Sequence, residues 1–202
     1  MKVGLYFGTY NPVHVGHLII ANHMANYTDL DQVWMVVTPR NPLKQKDSLL
    51  EDYHRLELVK RAIEGNWNLK VSDIEFQLEK PSYTASTLAH LQEKYPAHEF
   101  SLIMGEDNLR TLHKWKNFEY ILKNHSVVVY PRVLTEQEKS EAIQPPIKPE
   151  VYNHPSVNMI DAPVMKVSAS FIRRAIKEQK DVRYLLTEPV FKYVDEMNFY
   201  KS

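Results

Sequence analysis

The sequence predicts an α/β protein, a Rossmann-like open parallel sheet with helices on both faces and C-terminal helices packed on the sheet. Three observations carry that prediction. A short apolar strand, Lys2 to Phe7, leads through a loop into a helix-periodic run, Leu18 to Ala25. A second β-branched run, Gln32 to Thr38 (QVWMVVT), completes a strand–helix–strand unit within about forty residues. Strand-like and helix-like patterns then keep alternating to the C terminus.

In the first strand Val3, Leu5 and Phe7 fall on one side and Tyr6 on the other. The loop after it is Gly8-Thr9-Tyr10-Asn11-Pro12-Val13-His14-Val15-Gly16-His17, at the place where open α/β sheets bind ligands. Gly8 permits a tight turn or a close backbone approach, and Gly16 leaves room at the helix start. His14 and His17, three apart at a helix N-terminus, face the same way. With free first-turn N–H groups and the positive end of the helix dipole, this loop is suited to phosphate. One histidine near a helix start is ordinarily a cap or a surface residue. Two framing a glycine straight after a buried strand point to a site.

Pro39 to Asp47 is a polar, proline-punctuated loop on the same sheet edge, where a lysine could meet a phosphate. Glu51 to Glu64 is an amphipathic helix with Tyr53, Leu56, Val59, Ala62 and Ile63 on its core stripe. Gly65-Asn66 ends it. Leu69–Val71 and Ile74–Leu78 alternate as half-buried strands do. A helix from Thr84 to Lys94 follows Pro81-Ser82-Tyr83, its first turn crowded with hydroxyls that serve as caps or, with the N–H groups, as a carboxylate site. Glu99 to Met104 is the next strand. After it, Gly105 lets a ligand lie against the backbone, and an acid can take a ribose hydroxyl. Trp115 is a core or lid residue on the plain reading, and a platform for a flat heteroaromatic ring on the sharper one.

Ser126 to Tyr130 is a further strand, residues 132–155 form a surface excursion, and Val157 to Ile160 is a last short strand. Ser168 N-caps a helix running to about Glu178, with Phe171, Ile172 and Ala175 inward. Ser170 and Arg173 are neighbours on its surface, a second phosphate site. Glu188 to Phe199 closes the chain as an amphipathic helix with Pro189 in its first turn.

Composition narrows the function classes. The chain has 202 residues, 44% of them hydrophobic, enough for one core, and residues 1–202 are expected to form a single domain. Lys plus Arg and Asp plus Glu number 25 each, so no basic footprint argues for nucleic acid. There are no cysteines, which removes disulfides, a thiol nucleophile and cysteine-ligated zinc. No run approaches membrane-spanning length and the N-terminus lacks a leader pattern, so a cytoplasmic protein without membrane partners is expected. No stripe stands out as an oligomer interface.

GTYNPVHVGH resembles the HxGH signature of the nucleotidyltransferase superfamily, G-T-F-D-P-x-H-x-G-H, with Tyr10 for Phe, Asn11 for Asp, and Phe7 where a glycine usually precedes. VSASFIR is similar to the adenylyltransferase signature I-S-S-T-x-I-R, with Ala169 and Ser170 replacing the second serine and the threonine. PSYTASTL, IMGEDNL and HKWKNFEYIL are similar to segments of bacterial nicotinate mononucleotide adenylyltransferases, and the resemblance spans the chain outside residues 133–156. Leu43 stands where that family has a histidine, and Tyr130-Pro131-Arg132-Val133 where it has a basic R-P-G turn.

The resemblance implies transfer of the adenylyl group of ATP to nicotinate mononucleotide, giving deamido-NAD and pyrophosphate. His14, His17 and Arg173 are the implied catalytic residues. Gly8, Thr9, Tyr10, His14, Gly16, His17, Gly105, Asp107, Ser170 and Arg173 would bind ATP. Lys44, Tyr83, Thr84, Trp115 and Lys116 would bind the mononucleotide, with Trp115 on the pyridine ring. Mg²⁺ is implied as a bridge between ATP phosphates and waters, since no carboxylate cluster stands out to ligate it. Nicotinamide mononucleotide as acceptor, or a nucleotide-binding module without turnover, are the rival readings.

Overall fold

The structure is a computed structural model that describes residues 1–39, 49–132 and 150–201. Within it the predicted sheet is present. Strands β1 (Lys2–Gly8), β2 (Gln32–Val37), β3 (Leu69–Ser72), β4 (Glu99–Gly105), β5 (Val127–Tyr130) and β6 (Val157–Met159) lie in the order β3-β2-β1-β4-β5-β6, every pair parallel. The order reverses between β1 and β4, so a crevice opens beyond their C-terminal ends. Register places Tyr6 opposite Met35 on one side and Ile103 on the other.

Alternation along the strands divides the core into two layers. Val3, Leu5, Trp34, Val36, Leu102 and Met104 face α3 (Thr84–Lys94) and, beyond the short α4 (Glu106–Leu109), α5 (Phe118–Asn124), where Leu88, Leu91 and Ile121 are buried. Tyr6, Val33, Met35, Ile103 and Val128 face the opposite layer of α1 (Val15–Tyr27), α2 (Asp52–Ile63), α6 (Ala169–Lys177) and α7 (Glu188–Glu196). Helices therefore cover both faces, and the C-terminal helices pack on the sheet as expected. At roughly 1.5–3 kcal/mol for each large apolar side chain removed from water, these two layers supply the main driving force for folding.

Three expectations are corrected. Ile74–Phe76 is a turn of 3₁₀ helix and not a strand. Neighbours Ile74 and Glu75 are both buried, which a strand with alternating faces does not allow, and the chain must turn there from the sheet edge toward α3. Tyr53 is 63% exposed, because the buried side of α2 runs through Arg55, Leu58, Val59 and Ile63. Phe171 is 48% exposed, under the Arg174 guanidinium, because the buried stripe of α6 runs through Ile172 and Ala175. Ser168 caps α6 as predicted, accepting from the Phe171 N–H at 3.2 Å. Gly65, at φ +79°, ends α2 in the left-handed region that glycine adopts without strain. The excursion lies mostly outside the described residues, and its return carries Val151 into the core before β6.

Candidate active site

The loop after β1 folds back on its own strand. Tyr10, in a left-handed conformation at φ 46°, is 1% exposed and donates its hydroxyl to the Tyr6 carbonyl at 2.5 Å. A side chain on Gly8 would meet the Tyr10 ring at 2.9 Å. The close approach that requires glycine is thus the chain's own ring. Tyr10, predicted at ATP, does not line the cleft, because its ring is core and backs His17 edge-on at 5.1 Å.

His14 is the N-cap residue of α1, and His17 sits in the first turn. Their rings stack at 3.8 Å with 26° between planes. A side chain on Gly16 would come within 3.1 Å of the His14 ring, so this glycine makes room for the imidazole itself. The His14 backbone N–H donates to His17 Nδ1 at 3.2 Å. That bond makes Nδ1 an acceptor and puts the His17 proton on Nε2, where it can be donated to a ligand. Burial, with Arg132 adding to it, lowers the His14 pKa to about 4. Burial, then His14, then Arg132 lower that of His17. Near neutral pH both rings are therefore neutral hydrogen-bond donors.

Arg55 is fully buried and ties the loops of this edge together. It donates from Nη1 to the carbonyls of Thr9 and Thr38, both at 2.7 Å, from Nε to Leu50 at 3.0 Å, and from Nη2 to Asp52 at 2.5 Å. Sequence reasoning missed it. The signal was an arginine three and four residues before Leu58 and Val59 on one helix stripe. Arg173 donates to the Asn11 carbonyl at 2.7 Å and to Ser170 Oγ at 3.1 Å, so the predicted hydroxyl–guanidinium pair exists and faces the β1 loop.

The opposite wall begins at α3. Its N-cap residue, Tyr83, supplies no side-chain cap, and the predicted hydroxyl capping is absent. Thr87 instead donates to the buried Glu75 carboxylate at 2.8 Å. Burial raises the Glu75 pKa against the Thr87 and Ser82 hydrogen bonds. The first-turn N–H groups of α3 take no cap from the Tyr83 side chain. Lys116 lies 4.3 Å over the Tyr83 ring, so these two predicted residues pair with each other at the rim. Trp115 lines the cleft beside Thr84.

At the end of β4, a side chain on Gly105 would collide with Asp107 Oδ1 and lie 3.3 Å from the Tyr130 ring. Asp107 Oδ2 pairs with Arg132 at 2.5 Å, while Oδ1 is buried without a hydrogen bond. Arg132, which sequence reasoning did not place in the site, lines the cleft next to the histidines.

The resulting cleft is about 730 Å³. It brings together Gly8, Thr9, His14, Gly16, His17, Thr84, Trp115, Ser170 and Arg173. Tyr10, Tyr83, Gly105, Asp107 and Lys116 stand behind or beside its lining. Lys44, and Leu43 with it, lies outside the described residues. Among the described residues no three His, Cys, Asp or Glu side chains gather as a metal site would require.

Residues 5–175 match the model of the cytidylyltransferase-like family. A Flavobacterium johnsoniae protein named "probable nicotinate-nucleotide adenylyltransferase" is 59% identical over 202 residues, covering all of both chains. A Bacteroides fragilis protein of the same name is 40% identical over 193 residues, 96% of this chain and 90% of that one. The fold is similar to Plasmodium falciparum nicotinic acid mononucleotide adenylyltransferase complexed with NaAD, with a TM-score of 0.77 at 17% identity, over 99% of this chain and 97% of that one.

Proposed function

The chain belongs to the cytidylyltransferase-like family, among the nicotinate-nucleotide adenylyltransferases, and on that premise we propose how its cleft performs the reaction. It is a nucleotidyltransferase that moves the adenylyl group of ATP to nicotinate mononucleotide, giving deamido-NAD and pyrophosphate. The mononucleotide phosphate is already ionised near neutral pH and needs no general base. One of its oxygens forms a bond to the α-phosphorus. The bond from that phosphorus to the bridging oxygen breaks, and pyrophosphate leaves with the electron pair. Catalysis is then positioning plus stabilisation of charge on the phosphates.

The observation that carries this assignment is the His14 N–H bond to His17 Nδ1, which supports a fixed, neutral Nε2–H donor at the mouth of α1. In our reading His14 and His17 donate to the α-phosphate and the leaving phosphates. Ser170, Arg173 and the starts of α1 and α6 hold the rest of the triphosphate. A divalent ion, Mg²⁺ in our reading, would be held by the ATP phosphates and water and would supply neutralisation of their charge. Gly105 and Asp107 lie against the adenosine in our reading. Trp115 stacks on the pyridine ring, with Lys44 on the mononucleotide phosphate. Thr84 and the uncapped N–H groups of α3 near Tyr83 and Lys116 receive the carboxylate. A helix N-terminus favours that anion over the neutral amide of nicotinamide mononucleotide.

We read residues 1–202 as a single nucleotidyltransferase domain. No helix of the described residues is long and apolar enough to cross a membrane, and we place the enzyme in the cytoplasm with its two substrates. The test is pyrophosphate release from Mg²⁺ and ATP with each mononucleotide in turn. Strong preference for the nicotinate form is expected. Equal use of both would overturn the carboxylate account, and release with neither would overturn the activity.

A further inference from the structure

The chain beyond α7 folds back tightly. The N–H groups of Met197, Asn198 and Phe199 bond to the carbonyls of Tyr193, Asp195 and Val194 at 3.1, 3.1 and 3.0 Å. Asn198 and Tyr200 take left-handed φ values of 54° and 65°. Phe199 packs edge-on against His54 at 4.7 Å and Tyr193 at 5.7 Å. This turn carries the Tyr200 ring to the far side of the sequence, where its hydroxyl donates to Asn11 Oδ1 at 2.7 Å.

The geometry around Asn11 fixes the direction of that bond. Asn11 Oδ1 also accepts the Leu50 N–H at 3.2 Å, so this end of the amide is its oxygen and Tyr200 must be the donor. Burial raises the Tyr200 pKa, which keeps the phenol protonated. The carbonyl of the same Asn11 accepts from Arg173, and the carbonyl of the same Leu50 accepts from Arg55. Asn11 is 4% exposed, so it cannot exchange these partners for water without opening the loop. Three other segments of the chain, at Leu50, Arg173 and Tyr200, therefore meet at Asn11 between β1 and the histidines.

Resting on the adenylyl-transfer reading, we propose that Tyr200 is a positioning residue for the reaction: its hydroxyl fixes Asn11, which in turn sets where Arg173 points its free N–H groups. Arg173 uses two of its five N–H bonds among the described residues. The remaining three aim at phosphate only as well as Asn11 is held. Tyr200 does not line the cleft, so the loss of its hydroxyl acts on turnover through alignment.

The experiment compares Tyr200→Phe, which removes one oxygen, with Tyr200→Ala, which removes the ring as well. Pyrophosphate release by the unaltered enzyme comes first and tests the activity independently. For Tyr200→Phe, kcat is expected to fall about threefold to tenfold, the equivalent of one neutral hydrogen bond, with KM for the mononucleotide nearly unchanged and the melting temperature lower by about 2–4 °C. For Tyr200→Ala, the melting temperature falls further while kcat, measured well below it, stays near the Tyr200→Phe value. An active parent enzyme with Tyr200→Phe turnover within twofold of it would overturn the proposal. So would a kcat that falls in step with melting temperature from one variant to the other. Should Tyr200→Ala fail to fold, the kcat and KM of Tyr200→Phe decide alone.

Discussion

Replacing His17 by alanine separates chemistry from folding in this cleft. The imidazole is held by the His14 N–H at 3.2 Å, by stacking on the His14 ring at 3.8 Å and by the edge contact with Tyr10 at 5.1 Å. Losing the hydrogen bond costs about 1 kcal/mol, and losing the ring contacts roughly another 1–2 kcal/mol. Alanine returns about half a kcal/mol through its helix preference. The net, about 2 kcal/mol, lowers the melting temperature by about 4–8 °C in a chain of this size. The rate effect is of another order. Removing a preorganised donor to the transferring phosphates lowers kcat by about a hundredfold to a thousandfold. Pyrophosphate release at saturating ATP and mononucleotide at 25 °C, alongside circular dichroism melting, measures both. A kcat less than tenfold below the parent enzyme, or a variant unfolded at 25 °C, would refute the reasoning.

Other perturbations follow from the same geometry. Arg55→Met keeps length but takes the shared donor from the Thr9, Thr38 and Leu50 carbonyls and one of its cations from Asp52. We expect a loss of about 3–5 kcal/mol, seen as a melting temperature lower by roughly 10 °C; a shift under 3 °C would contradict the bracing role. Gly8→Ala puts a methyl 2.9 Å from the pinned Tyr10 ring and should cost about 1–3 kcal/mol in a denaturant titration, whereas an unchanged midpoint would mean the ring yields freely. His14 gains its proton near its ordinary value when unfolded but only at about 4 when folded. Between those values the unfolded state binds more protons, so stability present above pH 6.5 is lost as pH falls toward 4, by about 3 kcal/mol at most. Melting of the parent enzyme and of His14→Gln between pH 7 and pH 4.5 should therefore converge, and parallel curves would exclude His14 as the cause.

Local patterns in the sequence were sufficient for the strands, since β-branched runs such as Gln32–Val37 have one stable arrangement once buried on both faces. They were sufficient for the Ser168 cap and for the Ser170–Arg173 neighbourhood, which helical spacing alone dictates. The 3₁₀ turn at Ile74–Phe76 escaped them, because five alternating residues do not say whether the chain continues along the sheet or leaves it. Phe171 escaped for a similar reason: an apolar stripe one position too wide cannot be narrowed without knowing what packs against it.

By itself the sequence determined the fold class, the loop that carries His14 and His17, and the membership that its signatures imply. These rest on periodicity and on residues close along the chain. Only the tertiary structure decided that Gly8 and Gly105 yield space to Tyr10, and to Asp107 and Tyr130, and that Arg55 binds three loops. Only it joined Tyr200 to Asn11. Each of these is a buried polar group or a close contact whose partner lies on another element. A buried donor must find an acceptor wherever the fold offers one, and that choice is made in space, where neither spacing nor composition carries it.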